Sequence, residues 1–256
     1  MQNTIFDLSG RAALVTGASK GLGRAMALGL AQAGADVLLC SRHEDELAAA
    51  AGDLRQQTGR RIEYLTADVA RRDEVARLAE AAVSTMGRID ILVNNAGTNL
   101  LAPIDQVRDE DWDYLLALNL TACMALTRAL VPGMKDRRWG RVIHISSILG
   151  LASKEARNAY SATKTALIGL ARASALDLGP FGVTVNCIAP GVFATDLPRS
   201  TLSHDQWDSI SARTALGRWG QPEELIGPVL LLASDAGSYI SGSVLVVDGG
   251  LLSRGL

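Results

Sequence analysis

The 256-residue sequence predicts an α/β fold, a single domain in which a doubly wound, seven-stranded parallel sheet lies between two helix layers. Three observations predict it. Short apolar runs rich in β-branched residues alternate with longer amphipathic ones along the whole chain. Most of the short runs are apolar at every position rather than every second one, as strands are when helices cover both faces of a parallel sheet. The first short run ends in a glycine-rich turn that leads directly into a helical segment. Hydrophobic residues make up 48% of the chain and charged ones 20%, enough to fill a large core and solvate its shell. No repeat, low-complexity tract or linker divides the chain, so residues 1–256 read as one domain.

Taken in order, AALVTG is the first strand and 21–34 the first helix, closed by Gly34. ADVLLC is followed by a helix over 44–58 that stops before Gly59, and IEYLTAD by one over 72–86 that stops before Gly87. IDILVNN leads to a long helix over 109–134, and GRVIHISS to one over 158–179. VTVNCIAP, a helix over 222–233 and SVLVVDGG complete seven strands, joined by right-handed crossovers. The stretch 191–221, with Pro198 and a polar cluster, is the one irregular segment, longer than the ~4–6 residues usual for a connection. It follows the carboxyl end of a strand, where open α/β sheets bind ligands, and is expected to cover the substrate.

Composition excludes several classes. A formal net charge of -2 and a pI near 5.9 give no basic field for a polyanion, so nucleic acid is not expected as a partner. Cys40, Cys123 and Cys187 contain no CxxC pair, which points to reduced thiols rather than disulfides or a metal site. The opening MQNTIFDLSG lacks the apolar core of a signal peptide, and no run is read as a membrane span, so a cytoplasmic protein is expected.

In the turn TGASKGLG, Gly17, Gly21 and Gly23 allow tight backbone approach around Ser19, Lys20 and Leu22, and the helix N-terminus presents free N–H groups to a pyrophosphate. The spacing is wider than GxGxxG, so position between strand and helix carries the assignment. At the end of the second strand stand Ser41 and Arg42, where an acid would bind the ribose of NAD. A hydroxyl and a guanidinium there favour the 2′-phosphate of NADP, with Lys20 as a second cation from the other side, and leave NAD as possible.

On the helix 158–179, Tyr160 and Lys164 stand at i and i+4 on one face. A free phenol titrates near ~10, and a lysine ammonium and an oxidised nicotinamide nearby both favour phenolate. Ser147, at the end of GRVIHISS, is placed to hydrogen-bond the same substrate oxygen, and Asn119 is a polar amide in an apolar helical run, with a water chain to Lys164 as a way to satisfy it. Taken singly, a Tyr-x-x-x-Lys pair is an ordinary solvated pair and a helical Asn an ordinary structural one.

Their order behind TGASKGLG resembles the short-chain dehydrogenase/reductase family over essentially the whole chain. Asp68 in TADV, NNAG at Asn94 to Gly97, Asn119, Ser147, YSATK from Tyr160 to Lys164, and PGVFATD at Pro190 to Asp196 carry the resemblance. It implies that Asp68 and the Val69 backbone hold adenine and that Asn95, Ala96 and Gly97 line the dinucleotide cleft. It also implies that Tyr160 and Lys164 meet the nicotinamide ribose, that Pro190 and Gly191 are among the cofactor-binding residues, and that the Phe193 backbone with Thr195 holds the carboxamide. A strand-end cap, a turn and a helix cap are the plainer readings of Asp68, NNAG and Thr195. In reduction, Tyr160 would protonate a carbonyl oxygen held by Ser147.

For the substrate, RTALGRWGQPEELIGPVLLLAS resembles sugar-acid members such as gluconate 5-dehydrogenase and 2-deoxygluconate 3-dehydrogenase, while the Ser41–Arg42 pair resembles NADP-using carbonyl reductases. Sugar acids or polyols lead, with 3-oxoacyl-thioester reduction as the alternative. Arg157 and Lys154 are candidates for a substrate carboxylate, solvated loop cations being the plainer reading. A catalytically silent NADP-binding scaffold, the contrasting class, should lack Ser147, Tyr160 or Lys164. The family resemblance also implies a homotetramer built on the helices 109–134 and 158–179 and the apolar C-terminus.

Overall fold

Strands form wherever the sequence places a continuous apolar run. In the computed structural model, which describes residues 4–195 and 203–253, β1 is Ala12–Thr16, β2 Asp36–Ser41, β3 Ile62–Thr66, β4 Ile91–Asn94, β5 Gly140–Ile145, β6 Val183–Pro190 and β7 Val244–Val247. They pair in parallel in the order β3-β2-β1-β4-β5-β6-β7. Alternate residues feed two cores, Leu14, Leu38, Leu92 and Val142 on one face and Val15, Leu39, Val93 and Ile143 on the other. The strands therefore lack polar alternation. The edge strand β7 is only half-buried and departs from that rule.

The helices are α1 Gly21–Gln32, α2 Glu44–Thr58, α3 Arg72–Met86, α4 Asp109–Leu116, α5 Ala122–Asp136, α6 Asn158–Leu178, α7 His204–Ser211 and α8 Ile226–Ala233. Acidic residues open α2 and α3, and left-handed Gly59 and Gly87 close them. Three expectations are corrected. The predicted helix 109–134 is continuous to Asp136 but is broken in pitch by a π-helical turn, Ala117–Thr121, at Asn119. The helix 222–233 begins as a 3-10 turn, Pro222–Leu225, before α8. The stretch 191–221 is not irregular throughout, for it holds α7, opened by a capping box in which Ser203 Oγ accepts from Gln206 N–H and Gln206 Oε1 accepts from Ser203 N–H. Asp196 and Pro198 lie outside the described residues.

The stretch Asp109–Asp136 is long and apolar enough by composition to cross a membrane, with mean hydropathy 1.5 in its most apolar window, which the sequence reading did not anticipate. Ala122, Cys123, Leu126, Leu130 and Met134 of α5 belong to the sheet's core, so this helix is a core helix here. Cys40, Cys123 and Cys187 are free and buried, and burial pushes their thiols up to about 12, 11 and 12.

Strand order reverses between β1 and β4, so a crevice opens at their carboxyl ends. The glycine turn and the NNAG segment both sit there.

Candidate active site

At the crevice the backbone is closely drawn together. Gly17 takes a left-handed φ of 64°, and a Cβ on Gly23 would stand 2.2 Å from the Gly17 carbonyl and 2.5 Å from Asn95 Nδ2, so only glycine fits there. Asn95 Nδ2 donates to the carbonyls of Thr16 and Gly17 at 2.9 and 3.0 Å, while Thr16 Oγ1 accepts from Asn95 and Ala96 N–H at 3.0 Å each. Asn95 and Thr16 thus lock the glycine turn to the end of β4. Sequence reasoning singled out Asn95 but not Thr16, whose partners are some eighty residues away.

From this turn a cleft of about 410 Å³ runs across the ends of β2 and β3, lined by Gly17, Ser19, Ser41, Arg42, Asp68 and Val69 on one side and Ala96, Gly97, Thr98 and Tyr114 on the other. The residues fit a phosphorylated dinucleotide. Ser41 Oγ is buried with no hydrogen-bond partner, an atom that a phosphate oxygen would satisfy. Arg42 is exposed beside it, its guanidinium bound among the described residues to Tyr114 Oη at 3.4 Å. Lys20 departs from expectation: its ammonium pairs with Glu46 at 3.0 Å, which also accepts from Ser19 Oγ, so it does not stand as a free second cation. Asp68 Oδ1 accepts from Ala70 N–H and its own N–H donates to Glu74, so the carboxylate closes the strand end as well as lining the cleft.

Beyond the NNAG segment, Lys164 is brought beside both the Tyr160 ring and Asn119. Lys164 is buried, donates to the Ile145 carbonyl at 2.7 Å, and carries its ammonium 5.6 Å from the centroid of the half-buried Tyr160 ring. Its own carbonyl accepts from Ser146 Oγ, tying α6 to the end of β5. Ser147 is buried one residue further on, its Oγ accepting from Leu149 N–H. Asn119 differs from expectation: Oδ1 accepts from Thr98 N–H, and Nδ2 donates to the Thr98 carbonyl and Thr163 Oγ1. These direct partners come from two other segments, and Asn119 lies within the π-helical turn. Asn119 and Lys164 still face one point, since a Cβ on Gly97 would lie 3.0 Å from Asn119 Oδ1 and 3.4 Å from Lys164 Nζ.

Below them lies a group that sequence reasoning passed over. His144 is buried, its Nδ1 3.1 Å from Asn94 Nδ2, and burial together with the Lys164 charge pulls its pKa down to about 4. Its only signal was a polar residue inside the apolar run GRVIHISS. At the far edge, Gly191 N–H donates to the Val247 carbonyl, Phe193 bridges to Gly220, and Thr195 packs on the glycine turn, 3.4 Å from where a Gly21 Cβ would be.

A turn built for phosphates, an orphaned hydroxyl at the end of β2, and a phenol with a buried ammonium beside the same crevice are the setting in which likeness to known proteins can be read. A profile of the short chain dehydrogenase family matches residues 11–206. The chain belongs to that family. This short chain dehydrogenase is 38% identical over 248 residues to gluconate 5-dehydrogenase from Gluconobacter oxydans, covering 96% of each chain. Its structure superposes with a TM-score of 0.93 on gluconate 5-dehydrogenase from Burkholderia cenocepacia in complex with NADP and tartrate, at 36% identity over 98% of this chain and 99% of that one. The same TM-score of 0.93 relates it to 3-oxoacyl (acyl-carrier-protein) reductase from Agrobacterium tumefaciens with NADP bound, at 36% identity over 97% of both. It is thus an oxidoreductase acting between hydroxyl and carbonyl groups.

Proposed function

We propose that this chain is an NADP(H)-dependent oxidoreductase that interconverts a carbonyl and a secondary alcohol on a sugar acid or polyol. The observation that carries the reading is the buried Lys164 ammonium 5.6 Å from the Tyr160 ring, beside the dinucleotide cleft. When bound, the nicotinamide supplies or accepts the hydride. Gly17, Ser19, Gly21, Leu22 and Gly23 cradle the pyrophosphate, with Lys20 at the rim. Ser41 and Arg42 hold the 2′-phosphate, and Asp68 and Val69 the adenine. Asn95, Ala96 and Gly97 form the cleft wall, and Pro190, Gly191, Phe193 and Thr195 close on the nicotinamide end.

In reduction, Ser147 Oγ orients the substrate oxygen and Tyr160 donates its phenolic proton to it; in oxidation Tyr160 accepts that proton. Lys164 fixes the local charge and Asn119 holds the Thr98 backbone beside it. The segment 191–221, with α7 in it, is the substrate cover. The family resemblance supports association of four copies, with Trp112 on α4, Leu176 on α6 and Val246 on β7 as exposed apolar residues. The composition supports a cytoplasmic setting.

Reduction of a 3-oxoacyl thioester is the second reading, favoured by the likeness to the Agrobacterium reductase. A silent scaffold is disfavoured because Ser147, Tyr160 and Lys164 are all present. The test is NADPH and NADH oxidation by the purified protein with oxo-hexonates, ketohexoses and acetoacetyl thioesters. Turnover of an oxo-hexonate with at least a tenfold preference (about 1.4 kcal/mol) for NADPH is expected. Turnover of the thioester alone, or of nothing, contradicts it.

A further inference from the structure

We propose that Arg157 is a specificity-determining residue that receives the carboxylate of the substrate, so that the enzyme selects an oxo-acid over the corresponding neutral ketose; this rests on the oxidoreductase reading above. Arg157 occupies the N-cap position of α6, one turn before Tyr160. It is half-buried, its Nε is enclosed with no hydrogen-bond partner, and it enters none of the ion pairs among the described residues.

Other enclosed arginines of this chain are provided for. Arg141, 3% exposed, pairs with Asp235 and donates to the Ser234 and Gly140 carbonyls. Arg60, whose Nε is likewise enclosed without a partner, sets Nη2 on Asp36 at 2.7 Å. An enclosed guanidinium Nε without an acid is a donor that an incoming anion can satisfy, and the planar fork matches a carboxylate. Burial accordingly pulls the Arg157 pKa below its ordinary value.

The backbone that presents Arg157 is held in a conformation that L side chains rarely adopt. Ala156 has a φ of 59°, and its carbonyl accepts from Ala102 N–H, while Asn158 Nδ2 donates to the Ala102 carbonyl at 3.0 Å. Strained backbone of this kind persists where surrounding contacts over-determine it and gathers at ligand sites. Here those contacts tie Arg157 to the segment that continues from Thr98 and Leu100 of the cleft wall. Arg157 therefore stands one turn before the phenol, on backbone tied to the segment that leaves the cleft wall at Leu100.

The experiment compares wild type, Arg157→Gln and Arg157→Lys on a matched pair, an oxo-hexonate and a neutral ketohexose, with NADPH. Calorimetry of tartrate titrated into the enzyme–NADP complex gives a second readout. Arg157→Gln is expected to lower the kcat/KM ratio of acid over ketose by about tenfold or more, through KM rather than kcat, and to weaken tartrate binding similarly, with Arg157→Lys between. Equal losses on both substrates, or an unaltered ratio and unaltered tartrate affinity, overturn the proposal. A wild type that reduces the ketose but not the acid also overturns it while leaving the oxidoreductase reading intact; a wild type that reduces neither removes that reading, and tartrate affinity then decides on Arg157 alone.

Discussion

His144 is a base that the fold keeps neutral. It is buried on β5, between β4 and β6, and Asn94 Nδ2 donates to one ring nitrogen while Asn94 also reaches Thr127 Oγ1. Desolvation comes first among the causes of its low pKa of about 4, and the positive Lys164 nearby second. Below pH ~6.5 the unfolded chain takes up a proton at this residue that the folded chain refuses until about pH 4. Stability from this site is therefore full above pH ~6.5, falls as the pH drops toward 4, and levels off below that, a loss of about 3 kcal/mol in all. Urea unfolding of wild type and His144→Asn between pH 4 and 7 checks this, and the variant should show a flatter dependence. An equal slope in both proteins would place the effect elsewhere. Arg42 and Ser41 illustrate the same scale at the cleft, where one enclosed hydroxyl without a partner speaks for a phosphate more clearly than the exposed guanidinium beside it.

Among elements, the parts visible in the sequence are those with a local cause. β1 to β6 could be read because their runs are mainly apolar, even with Asp36, Glu63, Arg141 and His144 among them, and α2 and α3 because Gly59 and Gly87 stop them. The glycine turn was legible for a similar reason, since Gly17, Gly21 and Gly23 stand between a strand and a helix. The π-helical turn at Asn119 was not, because its cause is tertiary: the amide is held by Thr98 from another segment and Thr163 from α6. Such single π turns inside α-helices are frequent at functional sites. The Lys20–Glu46 ion pair was not legible for the same kind of reason, Glu46 belonging to α2. By contrast α7 had a signal, Ser203-x-x-Gln206, overlooked beside the polar content of 191–221. That element is anchored by Trp207, which stacks on the buried Trp219 at 4.0 Å and 9°, with Trp219 Nε1 donating to the Trp207 carbonyl. Trp207→Ala removes the stack, about 1 kcal/mol of anchoring. The KM for the carbonyl substrate should rise several-fold, the NADP Kd should hold within about twofold, and the melting temperature should move little, because α7 is not part of either core. A loss of NADP affinity as large as the KM effect would show that α7 does not act as a substrate cover.

At the scale of the molecule, the sheet order sets one crevice and the helices fill it from both sides. Strand reversal between β1 and β4 opens it, α1 turns its N-terminus toward it, and α6 brings Tyr160 and Lys164 to its edge. The same N-cap segment of α6 brings Arg157, so the proton donor and the proposed anion clamp ride on one rigid element. The account stands or falls on the phenol. The direct measurement is NADPH turnover and NADPH fluorescence titration of Tyr160→Phe against wild type. The account predicts that turnover falls by about three orders of magnitude, or more, while the NADPH Kd stays within about threefold, because the ring remains and only the proton donor is lost. Turnover near the wild-type rate, with the cofactor equally bound, would contradict it.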